Sequence, residues 1–161
     1  MTIELELQPR QGPRPQTISQ LPHSQLTDHG PDEVIEQLHA WCFALPNINN
    51  EPSGISVPGA RALVVQHGAD CNCEAFMIGR EFAQIHPYPD SGSMHVKLPA
   101  EQATRVIESG WGEDHYLVTQ GHYLKGLIMV FSPRSDDELR EVKKILGKSY
   151  EFATGTSTPG V

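Results

Sequence analysis

The stretch GREFAQIHPYPDSGSMHVKLP, residues 79–99, decides the fold. Two short runs, Glu81–His86 and Met94–Leu98, flank a segment of proline, glycine, serine and aspartate. Strand side chains two apart share a face. Ala83, Ile85, Val96 and Leu98 then form an apolar face, and Phe82, Gln84, His86, His95 and Lys97 the opposite one. If the loop closes an antiparallel pair, His86 sits opposite His95 with Cβ atoms ~5 Å apart.

Outward from this pair, the elements alternate in kind. Upstream, Gly79-Arg80 lies between two extended runs, as in a two-residue hairpin turn. Glu74–Ile78 is therefore expected to pair with Glu81–His86. Ala62–Gln66, carrying ALVV, reads as another strand, and NINNEPSG before it reads as loop. PDEVIEQLHAWCFAL is a helix with Pro31 at its first turn and acids following. Val34, Leu38, Trp41 and Leu45 share one of its faces, and Pro46 stops it. Downstream, PAEQATRVIESG is a helix between Pro99 and Gly110, LIMVFS is a buried strand, and SDDELREVKKILGKSYEFATG is a final helix opened by a Ser135/Glu138 capping box. Gly147 costs that helix about 1 kcal/mol against alanine, so it is expected to weaken there. The order predicts an α+β fold, an antiparallel sheet of about five strands with helices mainly on one face.

The 161 residues suit one domain over 31–155, with a flexible or loosely docked arm over 1–30 and a frayed tail over 156–161. Within the arm, IELEL alternates like a short strand. No apolar run approaches the length of a membrane span, and the first residues lack the pattern of a secretory signal, so a cytoplasmic location is expected. The net charge of −8 and the scattered lysines and arginines argue against nucleic-acid binding. Three cysteines, Cys42, Cys71 and Cys73, do not suggest a disulfide framework. The C-x-C of DCNC is weak support for a zinc site.

A length argument adds a third histidine. Strand Met94–Leu98 rises ~17 Å, and helix Ala100–Ser109 returns ~15 Å. The chain comes back level with His95 near Trp111–His115. His86, His95 and His115 can then gather at one end of the sheet. Three histidines in one cleft suit acid–base catalysis. They also suit three-nitrogen ligation of a divalent transition metal with an open position. A solvated or structural cluster is the plainer alternative. Asp90 and Glu113 could orient an imidazole. DSGSM around Ser93 lacks the G-x-S-x-G nucleophile elbow, and no phosphate-binding glycine loop is present.

The runs SVPGARALVV, GREFAQIHPYPDSGSMHVKLP, VIESGWGEDH and IMVFSPRSDDELREVKKILGKSYEFATG, in this order, resemble the luciferase-domain family of small bacterial and fungal proteins, whose members are labelled luciferase or phospholipase. The resemblance covers about 31–155 and implies functional polar positions at Glu81, His86, Ser93, His95, Trp111, Glu113 and His115. The resemblance also implies a histidine where this chain has Gln84; if that histidine is a functional ligand, the site here is altered or lost. The architecture is also similar to double-wing proteins. Two functions stay open. One is an enzyme or small-molecule-binding protein using His86, His95 and His115, with Tyr88 and Trp111 as pocket walls and Glu81, Ser93 and Glu113 as further contacts. The other is a non-catalytic protein whose polar sheet face binds a partner or a second copy in a homodimer.

Overall fold

A computed structural model describes residues 5–18 and 20–160. The elements run β1 (Thr17–Ile18), β2 (Ser24–Gln25), α1 (Asp32–Phe43), β3 (Ile48–Pro52), β4 (Arg61–Val65), β5 (Glu81–Ile85), β6 (Met94–Lys97), α2 (Ala100–Glu108), β7 (Gly112–Asp114), α3 (Tyr116–Thr119), β8 (Leu127–Val130) and α4 (Asp136–Thr154). β3 to β8 form one antiparallel sheet in the order β3-β4-β5-β6-β8-β7, and β1 pairs with β2 as a separate hairpin. The fold is α+β, as expected, with six strands in the main sheet rather than about five. The extra strands are β3, in the segment expected to be loop, and the short edge strand β7. The opening residues of IELEL lie outside the described residues, and Leu5–Leu7 form no strand.

Cross-strand rows explain the packing. Ile85, Met94 and Val130 align across β5, β6 and β8, as do Ala83, Val96 and Ile128. These join Leu38 and Cys42 of α1, Ala103 and Val106 of α2, and Val142, Ile145 and Tyr150 of α4 in one core. The apolar alternation thus buries one sheet face under the helices. No helix among the described residues is long and apolar enough to cross a membrane.

Three local expectations are corrected. Glu74–Ile78 is not a strand: Asn72 accepts the Glu74 N–H and caps a short 3₁₀ turn over Cys73–Ala75, leaving one bridge between Ile78 and Glu81. The partner of β5 on that side is β4. Second, the β4–β5 register shifts, so that Leu63 faces Ala83 while Val64 faces Glu81, with Phe82 as the extra residue of a bulge. Phe82 therefore enters the core, fully buried, instead of lying on the polar face. Glu81 joins Gln84 there, and Ser53 Oγ lies 2.7 Å from Glu81 Oε2 and 2.9 Å from Gln84 Oε1. Third, α4 runs unbroken through Gly147. The missing side chain lets Thr158 fold back, its Oγ1 2.8 Å from Gly147 O, where a Cβ would stand 3.0 Å from it.

Phe82→Ala should empty core volume without touching the polar face. A loss of about 3–5 kcal/mol in urea denaturation is expected; a neutral effect would mean that the bulge does not turn Phe82 inward.

Candidate functional site

The polar face carries its own row. Ala62, Gln84, His95, Met129 and Glu113 align across five strands. His95 faces Gln84, not His86 as the symmetrical loop suggested. The backbone explains this: His86 N–H donates to Ser93 O at 2.9 Å, so His86 pairs with Ser93, two residues before His95. The two rings still meet edge-on, with centroids 4.3 Å apart.

His95 is held at both nitrogens. Gln84 Nε2–H donates to Nδ1 at 2.9 Å, and Nε2–H donates to the backbone carbonyl of His23 at 3.1 Å. This is the neutral Nε2–H tautomer. His115 packs against the ring at a centroid distance of 4.5 Å. Burial, followed by the His86, His115 and His23 imidazoles, holds the His95 pKa well below its ordinary value.

His86 and His115 are each anchored at one nitrogen. His86 Nδ1 lies 2.7 Å from Ser93 Oγ and 3.3 Å from Asp90 Oδ2. Asp90 is itself positioned, accepting Gln25 N–H at 3.2 Å and lying 3.0 Å from His29 Nε2. His115 Nδ1 accepts Leu117 N–H at 3.1 Å and caps α3. Burial, then His23 and His86, pushes the His115 pKa down to about 4. Among the described residues, neither Nε2 has a protein hydrogen-bond partner.

These rings floor a cavity of about 990 Å³. Its walls include Ile18, Leu21, Val57, Met77, Leu117 and Leu127, and among the described residues no lysine or arginine lines it. Tyr88 stands at the mouth, 87% exposed.

The three histidines singled out in the sequence have adjacent rings, and Tyr88 lines the same cavity, but they lie on a diagonal across the polar face rather than at one end of the sheet: His86 is level with Ser93, and His115 with Leu127 and Lys97. The other candidates lie behind the cavity surface. Ser93 is fully buried beneath His86. Glu81 accepts Gly54 N–H at 3.0 Å, and burial raises its pKa despite that bond and Ser53. Glu113 Oε2 lies 3.5 Å from His23 Nε2 and 3.2 Å from Arg14 Nη2. Burial works to raise the Glu113 pKa, but His23, Thr17 and Arg14 outweigh it and hold it below the ordinary value. Trp111 packs in the helical core, its Nε1–H donating to Gln8 O at 2.6 Å, and is not a cavity wall. Cys71 and Cys73 are exposed and do not line the cavity. Among the described residues, no group of three His, Cys, Asp or Glu side chains is arranged to hold a metal ion.

The residue that sequence reasoning missed is His23. It lies in the arm, is 2% exposed, and stacks tilted on His115 with centroids 5.2 Å apart. Its only sequence signal was a histidine beside a proline in a polar segment, which carries no periodicity.

Residues 79–149 match the family model described as Luciferase domain. The luciferase-domain match holds every candidate site residue of the main sheet, from Glu81 to His115, and leaves out His23 and His29 of the arm. The chain is 32% identical over 79 residues to proteins named Luciferase from Armillaria gallica and Armillaria mellea, covering 47% of this chain and 29% of each relative. A Luciferase from Neonothopanus nambi matches at the same identity over 28% of its length. The matched stretch spans less than a third of these relatives. No solved structure matches the chain significantly.

The histidines set a pH dependence. A histidine whose folded pKa is depressed binds fewer protons folded than unfolded, so stability falls as pH drops below the unfolded value. For His115 the loss should run from the ordinary value of 6.5 down to about 4, with His95 adding to it in the same direction. His115→Asn keeps a capping acceptor but removes one titration. Its urea midpoint should decline less steeply than the wild type's over this window, and parallel declines would show that His115 does not carry the effect.

Proposed function

We propose that the protein is an enzyme that moves a proton on a small organic molecule with an apolar body. The observation that carries this reading is the pair His86 and His115, each anchored by Nδ1, with an Nε2 that is unpartnered among the described residues, and both lining one apolar-walled cavity. His86 is the base. Its Nδ1–H rests on Ser93 and Asp90, which fixes the tautomer and stabilises the imidazolium formed when Nε2 takes a proton. His115 is the donor: kept neutral, its Nε2–H can bond to the oxygen on which charge develops. His95 holds the two rings apart and, locked at both nitrogens, stays out of the proton transfer. The lack of lysine and arginine in the lining favours a neutral or weakly acidic substrate over a phosphorylated one. The luciferase-domain match, with relatives named Luciferase, agrees with an enzyme.

The same two free nitrogens favour a second reading, a divalent transition metal on His86 and His115. His95 could join only by giving up Gln84 or His23. Elemental analysis of the purified protein separates the two: a stoichiometric metal lost in His86→Ala would replace the acid–base reading. A partner-binding sheet face is less well supported, because the arm already lies over that face.

4-Nitrophenol is a direct probe, because its absorbance reports whether its hydroxyl proton has been lost. The wild type should bind it and shift it towards the phenolate. His86→Ala should bind it with that ionisation lost. Equal ionisation in both proteins, or no binding by the wild type, would overturn the assignment of His86 as base.

A further inference from the structure

The arm outside the luciferase-domain match reaches the histidine floor in three places, once directly and twice through a neighbouring group. The His23 carbonyl accepts the Nε2–H of His95 at 3.1 Å. The His23 ring, through Nδ1, accepts Tyr116 N–H at 2.8 Å, one residue before the N–H that His115 caps. Gln25 N–H and His29 Nε2 both reach the carboxylate of Asp90, which lies against His86. Each floor histidine is therefore touched, directly or through one group, by residues 23–29. The arm also supplies Ile18, Leu21 and Leu26 to the cavity wall.

His23 is unusual among these groups. It is 2% exposed, and its Nε2 is buried with no hydrogen-bond partner among the described residues. The same holds for Oε1 of Glu113, whose other oxygen lies 3.5 Å from that Nε2. A buried imidazole beside a buried carboxylate is costly unless both are satisfied. In a merely structural arm, an apolar side chain would fill this position at lower cost. The polar ring bonds to Tyr116, lies tilted against His115 with centroids 5.2 Å apart, and meets His95 edge-on at 6.1 Å.

We propose that His23, steadied by Glu113, is a positioning residue that holds His115 and His95 in the orientations the proton transfer needs. This makes the arm part of the catalytic apparatus, and it rests on the acid–base reading given above. His23 acts through its neighbours: its ring fixes the start of α3, which aims His115, and its carbonyl fixes the tautomer of His95. Proton transfer by this domain then depends on a segment that the family match does not include.

The test is imidazole NMR titration on the full chain, comparing wild type, His23→Ala, His23→Asn and, as a control in the same arm, Gln20→Ala. Groups facing His115 are His23, His95 and His86, with Glu113 behind His23. In His23→Ala the His115 midpoint should rise by about one pH unit, and the single-tautomer signal of His115 should broaden or change because the ring bond that holds the start of α3 is lost. Asparagine offers a side-chain oxygen to Tyr116, so His23→Asn should restore the His115 tautomer signal while its midpoint stays raised. Gln20→Ala should match the wild type. If His23→Ala does not fold, the asparagine variant decides alone. A His115 midpoint and tautomer signal unchanged in a folded His23→Ala variant, or a His115 midpoint unchanged in His23→Asn, would overturn the proposal, since a packing role alone would lower stability and leave both in place. The titration does not depend on 4-nitrophenol, so a failed proton-transfer reading and a failed positioning role give different results.

Discussion

His95 can lie buried in the polar face of the sheet because both of its ring nitrogens are hydrogen-bonded. A buried imidazole missing one partner would cost about 1–3 kcal/mol, and a charged one more. Gln84 supplies a donor from the neighbouring strand and the His23 carbonyl supplies an acceptor from the arm. These two bonds define the tautomer, hold the ring upright between His86 and His115, and tie the arm to the sheet. The Gln84 amide holds its oxygen near Ser53 and donates from its nitrogen.

The sheet works because its two faces do different jobs. One is a continuous apolar surface under three helices. The other carries a polar row that would be poorly placed in the open and is roofed by the β1–β2 hairpin. The bulge at Phe82 serves both: it adds a large ring to the core and moves Glu81 to the polar face, where Ser53 and Gly54 satisfy it. Neutral histidines beside apolar walls follow from the same burial, which pushes the His115 pKa down to about 4.

Much of this was legible in residues 79–99. The alternation of Ala83, Ile85, Val96 and Leu98 against Gln84, His86 and His95 gave the two faces. The rise of a strand and the return of a helix brought the chain level with His95 at Glu113, two residues before His115, from lengths alone. Segments whose structure depends on a distant partner were not legible. β3 reads as a loop because NINNEP has weak strand propensity, and it becomes a strand by pairing with β4. Trp111 looked like a pocket wall because aromatic residues near histidines often are, yet its neighbours in space are the helical core and Gln8.

What the sequence determined by itself was local and periodic: helix starts, strand faces, and the return of the chain to the level of His95 just before His115. Side-chain period and rise per residue are properties of the backbone and need no partner. Only the tertiary structure decided the register that sets Gln84 rather than His86 opposite His95, the bulge that turns Phe82 inward, and the arrival of His23. Register depends on which residues of two strands exchange hydrogen bonds, and His23 lies 72 positions from the ring it holds. No period in a single chain encodes a contact of that range. It arises when the arm folds over the sheet and two buried groups satisfy each other.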